Sequence, residues 1–285
     1  MQVASGRLQI AKSQRSSVAT CNLQPASSLH QTAAILVGHG SLLNDAGAAM
    51  MRISDRLHQM QILPMVTGGF LNFSQPTFAD ALERCVQQGA ATILVQPYFL
   101  IAGRYVQETL HGLIEEASER HLQVRFIRNE VVGTHPLLVQ LARQRLELLE
   151  EQPSLSVVGC NDRRALLVIA HGTPLEHENL PIVQAVQTLQ QMLGYGQSKI
   201  GYLDCNQPDI PSAFTELAAQ GIQEIDVLPY FLHLGRHVRK DLPTHFAEAQ
   251  ERYTDTTIRV ARHLDEENIL TQICAERILE SVKCL

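Results

Sequence analysis

Short continuous apolar runs punctuate the chain and end at glycine, proline or histidine. Ile35-Leu36-Val37 and Leu166-Leu167-Val168-Ile169 each run into a His-Gly pair. Runs of this length without alternation suit strands buried on both faces of a parallel sheet. The residues that follow turn to a helical period over 46–60 and 180–193. Ile93-Leu94-Val95 and Ile225-Asp226-Val227-Leu228 read as further strands, each closed by a proline. Val124–Ile127 and Thr257–Ala261 read as later ones. Pro76 and Pro208 fall where the next helix is expected to open, a position where a missing N–H does no harm. Alternating β and α segments predict an α/β fold with helices on both faces of a mostly parallel sheet.

The pattern occurs twice. Shifted by 132 residues, Ala33–Gly40 lies over Ala165–Gly172, Gly69–Asn72 over Gly201–Asp204, and Pro97–Leu100 over Pro229–Leu232. Between Ile93 and Val106, nine of fourteen positions are identical to their partners, where ordinary residue usage would give roughly one. The chain is therefore expected to hold two similar domains related by internal duplication. They cover residues 31–150 and 165–285, and the turn-rich stretch 151–164 links them.

Composition narrows the function. A net charge of −6 without a basic stripe argues against nucleic acid as a partner, and no apolar stretch reaches the length of a membrane span. Six cysteines in 285 residues, with no C-x-x-C, fit neither a disulfide scaffold nor a zinc ribbon. Residues 1–30 lack Asp and Glu and contain Arg7, Lys12 and Arg15. They read as a disordered tail and a cytoplasmic protein. An organelle-targeting segment, and so a plastid location, is the alternative. No G-x-G-x-x-G or P-loop pattern sits at a strand–helix junction, and G-H-G-S is not a nucleophile elbow.

The chemistry-bearing residues fall at the expected C-terminal strand ends, where such sheets bind ligands. In the second half these are His171, Asp204 and His237, spaced 33 and 33. Two imidazoles and a carboxylate suit a first-row divalent metal, and neutral imidazole accepts protons near pH 7. The first-half counterparts are His39, Asn72 and Tyr105, two of which have lost ligand character. A lone histidine at a strand end is ordinarily structural; three donor types at matching ends are less easily so explained.

Residues around these ends carry two readings. Ser41 and Thr173 either bond a substrate or cap the next helix. Gly103 and Gly235 either admit a ring close to the backbone or simply turn the chain. Arg104 and Arg236, with Arg239 and Lys240, are carboxylate clamps or solvated cations. His233 and His177 are expected to line the cleft; His135, His245 and His263 are expected to be ordinary.

The strings V-G-H-G-S and I-A-H-G-T, G-[FY]-L-x-x-x-Q-P and P-Y-F-L-x-x-G-R together resemble the class II chelatases of the sirohydrochlorin cobaltochelatase/ferrochelatase family, in the long two-domain form. The resemblance runs from about Ala33 to the C-terminus. It implies that a divalent metal is inserted into sirohydrochlorin bound between the domains. Fe2+ insertion gives sirohaem, and the alternatives are Co2+ on the way to cobalamin or a non-catalytic tetrapyrrole or metal carrier. No cofactor beyond the metal substrate is implied, and a monomer is expected because both halves share one chain. The family's metal-handling residues map onto His171, Asp204 and His237. The acid is more often Glu in the family, and many members carry the complete set in the first half. His39, Ser41, Thr173, Gly103, Arg104, Gly235, Arg236, His233, Tyr105 and Asn72 become substrate-contact candidates.

Overall fold

In a computed structural model, residues 26–41, 47–150, 161–233, 235, 237–265 and 267–285 are described. A 3-10 turn, Ala26–Gln31, leads into β1 (Thr32–Gly38), so the last residues of the expected tail are ordered into a turn. The rest of the tail lies outside the described residues. The first half continues with α1 (Ala48–Gln59), β2 (Met65–Phe70), α2 (Phe78–Gln87), β3 (Thr92–Pro97), α3 (His111–Arg120), β4 (Arg125–Arg128) and α4 (Pro136–Glu150). The second half repeats the order. It comprises β5 (Asn161–Ala170), α5 (Leu180–Leu193), β6 (Tyr195–Tyr202), α6 (Ile210–Ala219), β7 (Glu224–Pro229), α7 (Leu242–Arg252), β8 (Thr257–Val260) and α8 (Glu267–Val282). Because β5 opens at Asn161, residues 161–164 belong to a strand rather than to the expected linker. The remaining linker positions 151–160 lie outside the described residues.

Each half is a four-stranded, all-parallel sheet, ordered β2-β1-β3-β4 and β6-β5-β7-β8. The two similar α/β units expected from the repeat are present. Pro76 and Pro208 lie near the starts of α2 and α6, as expected, but ahead of the caps. Thr77 and Asp209 cap α2 and α6, and Pro76 and Pro208 precede those caps in cis peptides. No helix among the described residues is long and apolar enough to cross a membrane.

The strands alternate their side chains between two apolar layers. Ala33, Ile35 and Val37 face an outer layer with α2 and α3. Ala165, Leu167 and Ile169 face a matching layer with α6 and α7. Ala34, Leu36, Leu166 and Val168 face one continuous inner core shared by both halves. That core is closed by an exchange of C-terminal helices. From the first half, α4 packs on α5 and β7; from the second, α8 packs on α1 and β3; the two helices also touch each other.

Polar contacts fix the exchange. Arg145 of α4 donates from Nε to the His263 carbonyl at 3.1 Å and reaches Asp265 at 3.3 Å. From α8, Ser281 donates to Asn129 at 2.7 Å, Arg277 donates to Thr134 at 2.9 Å, and Glu276 faces His135 at 3.2 Å. At the entry to α8, Glu267 accepts from Arg52 Nε at 2.8 Å.

The copies differ inside this shared frame. Leu94 pairs in register with Ile127, but the equivalent pair in the second half is Asp226 and Arg259. Asp226 is fully buried. It accepts from Arg164 at 2.9 and 2.6 Å, from Arg259 at 2.7 and 2.9 Å, and from the Tyr195 hydroxyl at 2.8 Å. Such a cluster tolerates removal of one partner poorly, because the remaining charges stay buried. Asp226→Ala is expected to cost about 3–5 kcal/mol in equilibrium urea unfolding; a loss below 1 kcal/mol would contradict this account.

Burial lowers the pKa of His135, as the nearby Arg277 also does; Glu276 opposes both. Burial likewise lowers that of His263. The unfolded chain then binds protons more tightly than the folded one. Stability from these two groups is complete above the ordinary histidine value near 6.5 and is lost as pH falls below it. Both lie at contacts between the halves, so Tm should decline from pH 7 to pH 5. His135→Gln should flatten part of that slope in a pH series of thermal melts.

Candidate active site at the strand ends

Both halves build the same loop cluster at the C-terminal edge of their sheets. Beyond β1, Leu71 donates to the Gly38 carbonyl at 2.9 Å and Asn72 to the His39 carbonyl at 2.9 Å. Beyond β5, Leu203 donates to Ala170 at 3.0 Å and Asp204 to His171 at 2.9 Å. The third loop joins through Tyr98 N–H to Val37, and through Tyr230 N–H to Ile169, each at 2.8 Å. The loops are zipped to one another by backbone, so the residue after the first strand and the residue after the second are neighbours whatever their side chains.

Gly40 and Gly172 make this approach possible. Their φ angles are +83° and +89°, and a Cβ would lie 1.7 Å from the Asn72 carbonyl oxygen or 2.0 Å from that of Asp204. Only glycine fits both the left-handed backbone and the space.

The histidines are oriented alike. His39 Nδ1 lies 2.8 Å from the Gly40 carbonyl and His171 Nδ1 lies 3.3 Å from the Gly172 carbonyl. A carbonyl only accepts, so a neutral ring here carries its proton on Nδ1 and its lone pair on Nε2, the form that binds a metal or takes a proton. The His171 ring and the Asp204 side chain are exposed. Asp204 Oδ1 accepts from the Cys205 N–H at 2.7 Å. His171 and Asp204 are thus brought together.

His237 opens a π-helical segment, His237–Asp241, at the place where Tyr105 opens Tyr105–Leu110 in the first half. The His237 side chain lies outside the described residues, and so does Arg236. In the first copy, the Tyr105 ring meets the His39 ring edge-on at 4.2 Å between centroids. Phe73 stands 5.9 Å from the same imidazole. Among the described residues, no three His, Cys, Asp or Glu side chains form a group able to hold a metal.

Several sequence expectations change. Ser41 and Thr173 do not cap the next α-helices described: α1 and α5 begin after Gly47 and Asn179, and neither of those residues makes a side-chain cap. Thr173 is buried, and its hydroxyl accepts from the Leu175 N–H at 3.2 Å, which closes a local turn. Its own N–H donates to Asn206 at 2.7 Å, as Ser41 N–H donates to Ser74 at 3.0 Å. Asn206 and Ser74 were not singled out from sequence, although they too lie 33 residues after their partners. Arg104 is exposed and paired with Glu108 at 2.8 Å on its own helix. Arg239 and Lys240 are exposed, and His177 faces Glu178 at 3.5 Å on the surface.

The third loop of each half reaches the other half's first loop. A Cβ on Gly103 would lie 3.3 Å from Thr173 Oγ1, so Gly103 does more than turn the chain. Gln107 donates to Glu178 at 3.2 Å. His233, from the loop after β7, lines one pocket with His39. Asn72 and Gly235 are held in the loop cluster by backbone bonds, Asn72 to His39 and Ser74 and Gly235 to His233 and Arg239. The groove between the halves is therefore walled by residues of both.

Comparison with known proteins agrees with this geometry. The CbiX family pattern matches residues 33–149 and again residues 165–281, the offset of the internal repeat. The chain is 23% identical to the sirohydrochlorin cobaltochelatase of Priestia megaterium over 72% of its own length and 66% of that protein. It is 26% identical to the chloroplastic sirohydrochlorin ferrochelatase of Arabidopsis thaliana, over 45% of its own length and 57% of that protein. The chain thus spans somewhat under two thirds of these two relatives. A sirohydrochlorin ferrochelatase of Priestia megaterium is 20% identical over 78% of this chain and 82% of that one. Among solved structures, SirB from Bacillus subtilis with Fe3+ superposes with a TM-score of 0.75 at 19% identity, covering 88% of this chain and 95% of that one. The same duplicated unit, matched twice in the right register, shows that the chain belongs to the CbiX family.

Proposed function

We propose that the chain inserts a divalent metal into sirohydrochlorin, with Fe2+ as the metal and sirohaem as the product. The observation that carries this reading is the His171–Asp204 pair, held by backbone at the strand ends of a CbiX unit. Relatives named as ferrochelatases and as cobaltochelatases support the reaction class and leave Co2+ as the second metal.

The reaction exchanges two pyrrole N–H protons for one M2+, so it needs a base and a metal holder but no electron transfer. His171 is exposed and offers one Nε2 lone pair, which serves first as ligand to the ion and, once the ion has passed to the ring, as acceptor of one of the two displaced protons, the other going to His237. Asp204 adds negative charge beside it, which favours both a bound cation and a transient imidazolium. His237 completes the set from the third loop. The divalent ion is a substrate in this scheme. Sirohydrochlorin is a polyacid, and Arg239 and Lys240, exposed at the start of the helix after His237, suit its carboxylates better than Arg104, which Glu108 already engages. Both walls of the groove come from one chain, so a monomer suffices.

The test is a steady-state assay with sirohydrochlorin and Fe2+, Co2+ or Ni2+ at matched free concentration. Turnover with Fe2+ as the best metal is expected; binding without turnover would identify a carrier instead. His171→Ala is expected to lower kcat/KM by about 10²–10⁴; wild-type turnover in that variant would remove the assignment. His39→Ala is expected to be milder. Gly172→Ala should separate the loops that hold His171 and Asp204 and so reduce both Tm and kcat. Gly40→Ala should reduce Tm with a smaller effect on kcat.

A further inference from the structure

The chain has eight Phe, six Tyr and no Trp. Among the described residues, two of these aromatic side chains stand exposed, Phe73 at 64% and Tyr105 at 48%. They come from different loops, after β2 and after β3, yet both meet the same imidazole. The Tyr105 ring stands edge-on to His39, and the Phe73 ring is tilted by 49° to it. Single exposed apolar residues are ordinary. Two exposed aromatic rings gathered on one residue of the groove form a patch, and such patches mark binding sites.

The backbone at Phe73 strengthens this. Its φ is +59°, in the left-handed region that glycine and asparagine tolerate and a bulky residue enters only with strain. The equivalent turn in the second half has a φ of +64° at Cys205, so the turn belongs to the repeat and does not require Phe. A residue that strains its backbone and leaves its ring in water does little for folding. A ligand laid against the ring would take it out of water.

Position narrows that ligand. Phe73 stands where the second half has Cys205, next to Asp204, and Tyr105 stands where it has His237. His171 is exposed, whereas Nε2 of His39 is buried, so the first half presents aromatic rings where the second presents donors. His39 also lines a pocket with His233 of the second half, which puts the aromatic pair at the boundary between the walls. Charge is divided as well. Arg239 and Lys240 are exposed on the second half, and their first-half counterparts are Gln107 and Glu108. An aromatic wall on one side, with cations and metal donors on the other, suits a flat conjugated ring edged with carboxylates. Stacked and edge contacts between aromatic systems add to the gain from buried area.

We propose that Phe73, with Tyr105 beside it, carries the conjugated face of the tetrapyrrole, while the second half supplies the metal and proton chemistry. The two copies have then specialised: one holds the macrocycle and the other acts on it. This inference rests on the chelatase reading of the groove and adds Phe73, which the sequence pattern did not single out. Phe73 is a binding residue, touching the face of the substrate and no reacting atom.

Titration of the full chain with metal-free sirohydrochlorin, followed by the absorbance of the macrocycle and paired with steady-state turnover, tests it. Phe73→Gly removes the ring and relieves the backbone. It should raise Kd and KM together by about tenfold, change kcat less than KM, and leave Tm at or above that of the wild type. Phe73→Leu keeps an apolar side chain and should lose most of the same affinity, and Phe73→Trp should recover it. Tyr105→Leu should also raise Kd. Unchanged Kd in Phe73→Gly and Phe73→Leu, beside normal wild-type turnover, would overturn this inference and leave the functional reading standing. A fall in Tm without a change in Kd would make the ring structural and overturn it equally. A wild type that binds no sirohydrochlorin would overturn both. Weakened binding in the variants of a chain that never turns over would support the contact while the catalytic reading fell.

Discussion

The structure depends on the inner core between the two sheets. A parallel sheet is apolar on both faces, and each half's inner layer is closed with the terminal helix of the other. Removing α8 would expose Leu36, Leu94 and the α1 face of the first half; removing α4 would do the same around Leu228. At roughly 25 cal/mol per Å² of apolar area, neither half can leave that face in water. The halves are therefore a single folding unit, and the groove at their strand ends is a consequence of that packing.

The exchange also fixes the direction in which the sites face. Parallel strands place all their C-terminal ends on one edge, and the interlocked helices hold the two edges so that the third loop of one half meets the first loop of the other. Gly103 against Thr173, Gln107 against Glu178, and His233 beside His39 are three expressions of this arrangement. Each wall of the groove is hybrid, built from loops of both halves.

Duplication has preserved backbone and released side chains. The Leu71 and Leu203 bonds, the positive-φ Gly40 and Gly172, and the φ of +59° and +64° at Phe73 and Cys205 recur at equivalent positions of both copies. On that common frame, Asn72 stands for Asp204, Tyr105 for His237, and the Leu94–Ile127 pair for Asp226–Arg259. Backbone zipping tolerates such exchanges because the bonds from Leu71, Asn72, Leu203 and Asp204 to the preceding strand ends run between main-chain atoms.

Much of this was legible along the chain. The repeat, the strand–helix order and the siting of His171, Asp204 and His237 at strand ends follow from hydrophobic period and from the glycines and prolines that stop it, all of which are local signals. The linker was less well read, because the charged and polar start of β5 carries no apolar run. Ser41 and Thr173 invited a capping role because their type suits one, but helices α1 and α5 begin further along than Ser41 and Thr173. What only tertiary structure decided is which sheet each terminal helix covers and which loops face across the groove. An apolar helix face has no label for its partner, and two equally apolar sheets are available to it. The choice rests on contacts between residues more than a hundred positions apart, such as Arg145 with Asp265 and Ser281 with Asn129, and no periodicity in the sequence encodes them.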